Sequence, residues 1–323
     1  MEKRLPKNFL KKCVVMKSVN LIYVLSNGRS GSTLVDMLFG SDSSCFTLGE
    51  AQDLYWNLEL KKTSGRGLLL KECPFWGHVI EGFDDLKEIK EISLFREQYG
   101  RGKVLRWPLL KWVLFGRFPK KLRALVDSYV SVNEKYLILC RNSASEVQDQ
   151  MPEWLIDASK DPYRLLFLSQ SKRINLKVIH ILKRPEAFVH SMTKNLSKGR
   201  LPYSLRMAIR WCVENYIMFK VRERFVGSKE SGITVSYERL ASEPERVLGE
   251  ICSSLDLDLD SEEMLRFREK ENFAISGNKM RSDTRPVTLD EKWRVEMPPF
   301  IRFLVSAVSL IPRKAFVFKY GLR

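Results

Sequence analysis

Residues 20–40 read NLIYVLSNGRSGSTLVDMLFG, and this stretch decides the fold. The run Leu21–Leu25 is apolar, β-branched and aromatic, which predicts a short buried strand. The Asn-Gly and Ser-Gly pairs behind it predict a tight turn. Leu34 and Leu38 share one face of a helix that is expected to begin near Ser32. The stretch therefore predicts a strand, a polar turn and a helix, in that order.

A strand that runs through a glycine-bearing turn into a helix N-terminus can bind an anion. The first helical turn leaves four N–H groups unpaired, and the helix dipole adds about half a positive charge there. The turn also supplies glycines, hydroxyl donors and one cation: Gly28, Arg29, Ser30, Gly31, Ser32 and Thr33. This composition predicts a site for a tetrahedral oxyanion. The alternative is an ordinary strand-to-helix turn whose hydroxyls only cap the helix.

The turn is not a Walker A loop, which has the pattern G-x-x-x-x-G-K-[ST]. Here Gly31 follows Gly28 by three residues and precedes Ser32 instead of a lysine. The cation, Arg29, comes before the second glycine. The resulting order, R-S-G-S-T, resembles the 5′-phosphosulfate loop of sulfotransferases that use 3′-phosphoadenosine-5′-phosphosulfate (PAPS).

Composition limits the class of protein. The chain has 323 residues, 44% of them hydrophobic, which suits one large α/β domain or two smaller ones. No apolar run approaches the ~18–20 residues that a membrane span needs, so a cytoplasmic protein is expected. The net charge of +16 predicts an anionic partner or surface. The six cysteines form no C-x-x-C pair, and no metal site is predicted.

Strands alternate with helices in the second half of the chain. Apolar runs predict strands at Tyr136–Leu139, Trp154–Ile156, Lys177–Leu182 and Ile233–Ser236. This rhythm predicts a three-layer α/β fold, in which helices cover both faces of a central parallel sheet. Ligands of such folds bind at the carboxyl ends of the strands, where the polar turns lie.

Charged residues follow the predicted strands and are candidates for the site. Glu50 comes shortly after the anion-binding turn, opening a helix predicted over Ala51–Leu58. A carboxylate close to an anion site suggests a general base, although it also favours a helix N-terminus through the dipole. Lys160 follows one strand, and Lys183 and Arg184 follow the next.

Three further motifs carry the resemblance. LKRPEAFVHS (182–191) is similar to the 3′-phosphate element of PAPS sulfotransferases, in which an arginine is followed eight residues later by a serine. VSYERLASEP (235–244) resembles the strand and turn that follow it. GNKMR (277–281) with LDEKWR (289–294) resembles the nucleotide-covering loop of the bacterial branch related to carbohydrate and tyrosylprotein sulfotransferases. The order matches the family and implies its P-loop-NTPase-like sulfotransferase fold.

The resemblance implies a role for each matched position. Asn27 and the loop Gly28–Thr33 would hold the 5′-phosphosulfate. The 3′-phosphate would be held by Lys183 or Arg184 with Ser191, and Arg281 would add a phosphate contact. Glu50 aligns with the base of the tyrosylprotein branch, and Lys160 with a basic residue that faces the transferred group. The family usually has Arg-Asp-Pro where this chain has Lys183-Arg184-Pro185, so a point charge replaces a fork of donors.

The implied reaction moves a sulfuryl group from PAPS to a hydroxyl or amine, leaving PAP, by in-line displacement without a metal. The catalytic residues would be Arg29, Glu50 and Lys160. The acceptor would be a carbohydrate, a lipid-linked molecule or a small alcohol. The domain would span 19–323, with a basic lead-in at 1–18 and a mainly helical acceptor-side insertion at 60–130.

Two other classes of function stay open. One is a P-loop-like nucleotide kinase or NTPase, which the missing Gly-Lys-Ser/Thr disfavours. The other is a non-enzymatic basic module that docks on nucleic acid or anionic membrane through 98–126 and the C-terminal stretch. For the enzyme, nucleic acid is not an expected partner. Residues 300–323 alternate apolar and basic residues, which suits either peripheral membrane association or a helix packed on the core.

Overall fold

The structure, a computed structural model, describes residues 18–97, 107–196, 200–226, 231–276, 279–282 and 288–320. The predicted lead-in, except Ser18, lies outside the described residues. So do the basic stretch 98–106 and two parts of the predicted covering loop, 277–278 and 283–287.

Five strands and fifteen α-helices are found among these residues. The strands are β1 (Val19–Ser26), β2 (Cys45–Gly49), β3 (Trp154–Lys160), β4 (Ile174–Leu182) and β5 (Gly232–Ser236). The helices are α1 (Ser32–Phe39), α2 (Leu54–Glu59), α3 (Pro74–Glu81), α4 (Leu86–Ile92), α5 (Leu94–Glu97), α6 (Trp107–Phe115), α7 (Arg123–Val147), α8 (Pro162–Leu168), α9 (Pro185–Thr193), α10 (Arg200–Phe225), α11 (Tyr237–Ser242), α12 (Pro244–Leu255), α13 (Ser261–Leu265), α14 (Trp293–Glu296) and α15 (Pro299–Tyr320). Short 3₁₀ turns cover Ala51–Asp53, Lys120–Leu122 and Lys279–Ser282.

The strands form one sheet in the order β2-β3-β1-β4-β5, and every pairing is parallel. This confirms the predicted parallel sheet. The central strand is β1, which pairs with β3 on one side and β4 on the other. Strands β2 and β3 therefore lie on one side of β1, and strands β4 and β5 lie on the other. Open α/β sheets bind their ligands at such a switch point.

Alternate residues of β1 face two different hydrophobic cores. Leu21, Tyr23 and Leu25 pack in a cluster with α3, α7, α8 and α10. Ile22 and Val24 point the other way and join a cluster with α1 and α12. Because both faces are covered, β1 is buried along almost its whole length, as its apolar sequence predicted. The fold is the predicted three-layer α/β arrangement.

One strand was predicted wrongly and one was missed. The predicted strand Tyr136–Leu139 lies inside the 25-residue helix α7. Tyr129, Tyr136 and Cys140 of that helix are buried at spacings of seven and four, which is a helical period. The predicted strand covered only four apolar residues, and a run of that length is compatible with either a strand or a helix. Strand β2 escaped prediction, since it is only five residues long and follows a serine-rich turn.

A third cluster joins α9, α10 and α15 through Phe188, Trp211 and Val305. Within the C-terminal stretch, Pro299–Tyr320 thus form a helix that packs on the rest of the protein. Among the described helices, none is both long enough and apolar enough to cross a membrane.

Candidate active site

The turn between β1 and α1 has the backbone that its glycines predict. Gly31 precedes the helix with φ 94°, and its carbonyl accepts the N–H groups of Leu34 and Val35 at 3.0 and 3.2 Å. A Cβ atom on Gly31 would stand 2.3 Å from Cδ2 of Tyr237. Only glycine meets both demands. Arg29 also adopts a left-handed conformation, with φ 69°, and its side chain is exposed.

A cleft of about 770 Å³ opens beside this turn at the carboxyl end of the sheet. It brings together most of the residues that the sequence predicted for the site. Those lining it are Gly28, Arg29, Gly31, Ser32, Thr33, Glu50, Lys160, Lys183 and Ser191. They come from four separate segments of the chain, three of which follow parallel strands. Predicted residues that do not line it are Asn27, Ser30, Arg184 and Arg281.

Lys183 lies in the cleft, whereas Arg184 does not. The Lys183 ammonium is 3.4 Å from the Arg29 carbonyl oxygen and 4.4 Å from the centroid of the Tyr237 ring. Burial lowers the pKa of Lys183, although the nearby Glu238 and Asp290 carboxylates favour its charged form. The Arg184 side chain is exposed, and its backbone N–H donates to Glu238 at 2.9 Å. A buried cation of this kind is better suited to a bound anion than to water.

Glu50 is held by two cations on the wall of the cleft. The Lys160 ammonium is 2.5 Å from Glu50 Oε1, and the Arg96 guanidinium contacts Glu50 Oε2. Arg96 also contacts Asp53, with Nη2 2.9 Å from Oδ2. Burial lowers the pKa of Lys160, and Glu50 only partly opposes this. For Arg96 burial acts in the same direction, but Asp53 and Glu50 outweigh it, so the pKa of Arg96 is raised.

Sequence reasoning missed Arg96. It lies in the short helix α5, in a region that no motif covered. The sequence contains one indication of such a cation. Glu50 and Asp53 are three residues apart, and two carboxylates on one turn repel each other unless a cation lies nearby. Nothing in the sequence identifies which of the basic residues supplies it.

Asn27 ties the turn to helix α10. Its side-chain Nδ2 donates to Glu214 Oε2 at 2.6 Å, and its Oδ1 accepts from Asn215 Nδ2 at 2.6 Å. Glu214 in turn is 2.7 Å from Arg210, and both of these residues line the cleft. Asn27 therefore orients the turn from below and does not reach the cleft itself.

Arg281 is paired with Asp36 of helix α1. Asp36 is fully buried and also accepts a hydrogen bond from Thr47. Arg281 Nε donates to the Ser276 carbonyl at 3.2 Å. The described part of the predicted covering segment is thus anchored on α1, the helix that begins at the turn. Its neighbour Met280 lines the cleft.

The two remaining predicted hydroxyl groups, those of Ser191 and Ser30, have different surroundings. Ser191 of α9 lines the cleft while its Oγ donates to the Phe188 carbonyl at 2.7 Å. Ser30 is fully buried, and its Oγ has no hydrogen-bond partner among the described residues. An unpaired buried hydroxyl costs about 1–3 kcal/mol, so a ligand oxygen that accepted its proton would relieve that cost.

No protein-family model matches the sequence, and neither does any curated protein. Solved structures do match. The sulfotransferase domain from the curacin biosynthetic pathway is 17% identical, over 95% of this chain and all 100% of that one, with a TM-score of 0.50. Sulfotransferase STF9 from Mycobacterium avium is 13% identical, over 95% of this chain and 78% of that one, also with a TM-score of 0.50.

At this level of identity the likeness concerns the architecture, and substrates have to be argued from the site. The architecture agrees with the one that the R-S-G-S-T turn and the LKRPEAFVHS motif implied. This chain has the sulfotransferase fold.

Proposed function

We propose that the protein is a PAPS-dependent sulfotransferase, which transfers a sulfuryl group to a hydroxyl or amine of its acceptor. One observation carries the proposal. Arg29 and Lys183 line the same cleft, with the Lys183 ammonium 3.4 Å from the Arg29 carbonyl, and the Glu50–Lys160 pair lies on its wall. A nucleotide with phosphate groups on both the 5′ and the 3′ oxygen of its ribose needs cations at two neighbouring places in one cleft, and an acceptor needs a base beside them.

The residues present suit such a donor. The N–H groups at the start of α1, with Arg29, Ser32 and Thr33, would hold the 5′-phosphosulfate. The unpartnered hydroxyl of Ser30 supports an anion in the turn. Lys183 and Ser191 would hold the 3′-phosphate. In this proposal Arg184 contributes no phosphate contact, and Asn27 and Arg281 act by positioning the turn and its helix.

Charge placement accounts for the chemistry. Sulfuryl transfer resembles phosphoryl transfer, in which the transition state is loose and negative charge grows on the leaving oxygen. Arg29 and the N–H groups of the turn would stabilise that charge, and Lys160 would neutralise the oxygens of the transferred group. PAPS supplies the sulfuryl group, and no residue of the chain needs to carry it.

Glu50 would take the proton of the acceptor. Two adjacent cations favour its ionised form, which keeps the carboxylate ready to accept a proton but makes it a weak base. A weak base suffices when the acceptor bond forms late, as in a loose transition state. A carbohydrate, a lipid-linked molecule or a small alcohol is the acceptor that we propose. The cytoplasmic location expected from the sequence stays a prediction.

A nucleotide-binding screen tests the proposal. PAP is expected to raise the thermal midpoint of the protein, and ATP is not. Labelled sulfate from PAPS should then appear in pooled sugars, lipids or small alcohols. The variants Arg29→Ala and Lys183→Met are expected to weaken PAP binding about 10- to 100-fold each, because each removes a charge-assisted contact.

The matched control is Arg184→Ala, which removes a neighbouring exposed arginine and should leave PAP binding unchanged. Stabilisation by ATP without any response to PAP would contradict the proposal and favour a nucleotide kinase. Equal losses in all three variants would mean that general positive charge, and not this cleft, binds the nucleotide.

A further inference from the structure

Helix α15 is attached to the protein along one face. Ile301, Val305 and Phe316 are buried in the cluster with α9 and α10. On the same side, Ser306 and Arg313 both contact Glu186 at the start of α9, with distances to Oε1 of 2.5 and 3.3 Å. These contacts fix how the helix is rotated about its axis.

The opposite face of α15 is apolar and exposed. Phe300 is 62% exposed, Phe303 67% and Ile311 81%, and Leu310 is exposed as well. At 3.6 residues per turn these four side chains lie within about 100° of one another. We call them the outer stripe. Single exposed apolar residues are common on proteins, but a row of large ones along one helix marks a surface for interaction.

Positive charge accompanies the outer stripe. The sequence from Pro298 to Arg323 contains no Asp or Glu. Lys314 is exposed and lies within the angular range of the outer stripe, one turn beyond Ile311. Arg302 lies on the attached side of the helix, where its Nη1 donates to the Arg294 carbonyl at 2.8 Å, so it is not part of the outer stripe. Apolar side chains with flanking Lys and Arg are the combination that lies flat in the interface of an anionic bilayer.

We propose that the outer stripe docks the protein on the surface of a membrane rich in anionic phospholipid. Phe300, Phe303 and Ile311 enter the boundary between headgroups and acyl chains, while Lys314 reaches the phosphates. Nucleic acid is a poorer match, because it offers no apolar layer for these side chains. The helix lies on the membrane and does not cross it. This surface is separate from the cleft, so the proposal does not depend on the proposed reaction.

Vesicle co-sedimentation of the full chain tests the proposal. Vesicles of phosphatidylcholine with phosphatidylglycerol are expected to bind the protein, and vesicles of phosphatidylcholine alone to bind it much less. The double variant Phe303→Ser/Ile311→Ser should bind the anionic vesicles at least about tenfold more weakly, because it lacks two large apolar side chains that would be buried in the bilayer interface. Raising the salt concentration should weaken wild-type binding.

The matched control, Leu60→Ser/Leu86→Ser, changes two leucines that are 62% and 50% exposed outside α15, and it should bind as wild type does. Circular dichroism would verify that each variant folds. Absence of wild-type binding to anionic vesicles, or equal binding by Phe303→Ser/Ile311→Ser, would overturn the proposal. So would a wild-type dimer in sedimentation velocity that the same variant dissociates without any vesicle binding, since the stripe would then cover a second copy of the chain.

Discussion

At the scale of single residues, Glu50, the proposed base, is held in place through both of its carboxylate oxygens. Its two oxygens are each held by a different cation, Lys160 and Arg96. We expect Glu50→Gln to lower kcat by a factor of ~10²–10⁴, the usual contribution of a general base. PAP binding, measured by calorimetry, should stay within about twofold, because Glu50 is proposed to act on the acceptor. Loss of PAP binding would instead make Glu50 a structural residue.

Arg96 is proposed to act through Glu50 as a positioning residue. Removing it with Arg96→Ala takes a cation away from a carboxylate, which raises the pKa of that carboxylate. The acidic limb of the kcat/KM profile should therefore move to higher pH, and kcat should fall. Arg96→Lys keeps the charge and should restore the limb in part. An unchanged profile in Arg96→Ala, with only lower stability, would contradict this role.

His180 makes the fold sensitive to acid. It is fully buried in β4, where burial and the Arg222 cation lower its pKa to about 3. In the unfolded chain the same group titrates near its ordinary value of 6.5. As the pH falls below 6.5 the unfolded state takes up a proton and the folded state does not, so the free energy of unfolding decreases. At pH 4.5 this loss is about 2–3 kcal/mol.

Replacing the imidazole with an apolar side chain should remove that loss. We expect His180→Leu to lose less stability between pH 7 and pH 4.5 than wild type does, as measured by urea unfolding at both values. His78→Gln, a change at a half-exposed histidine beside Glu146, serves as the control and should behave as wild type. If His180→Leu lost as much stability between pH 7 and pH 4.5 as wild type does, the acid sensitivity would have to come from other groups.

At the scale of elements, the turn from β1 into α1 depends on Gly31. Alanine at that position would combine a positive φ with a Cβ atom 2.3 Å from the Tyr237 ring. Each of these costs about 1–3 kcal/mol, so Gly31→Ala should lower the free energy of unfolding by roughly 2–6 kcal/mol. Gly28→Ala is the control, since no atom lies within 4 Å of its Cβ. Equal effects in chemical denaturation would contradict this account.

The same scale explains what the sequence could predict. Strand β1, its turn and α1 were predictable because their signals are local: an apolar run, paired glycines and a helical period. The helical state of Tyr136–Leu139 was not predictable, because four consecutive apolar residues are too few to show the helical period of α7. The contact between Arg96 and Glu50 could not be predicted from the sequence. The two residues are 46 positions apart and only the tertiary fold brings them together. The resemblance gave Lys183 and Arg184 as alternatives for the 3′-phosphate contact. Only the structure shows that Lys183 lines the cleft and Arg184 does not.

At the scale of the whole molecule, one buried ion pair joins the sheet to the layer outside it. Arg164 of α8 and Asp157 of β3 are both fully buried, with Nε 2.9 Å from Oδ2. Arg164 Nη1 also contacts Tyr129 and Asn133 of α7, each at 2.7 Å. These contacts hold α7 and α8 in place over the strand that ends at Lys160.

Removing one partner leaves the other charge buried and unpaired. Arg164→Met should therefore lower the free energy of unfolding by about 3–5 kcal/mol in chemical denaturation. Asp157→Asn/Arg164→Met removes both charges and keeps an acceptor for the Ser159 N–H, which bonds Asp157 at 2.9 Å. The double variant should recover a large part of the loss. A double variant less stable than Arg164→Met would show that the charge on Asp157 is needed for another reason.

The amide of Asn27 has a consequence for the order in which the protein matures. Its partner Glu214 lies 187 residues further along the chain. During synthesis the turn between β1 and α1 emerges early, yet the helix that fixes its shape follows only after two-thirds of the chain has been made. A nascent chain released before α10 would contain four of the five strands but a turn with no support beneath it. If the turn binds a nucleotide as proposed, the chain therefore acquires that ability only after α10 has been made.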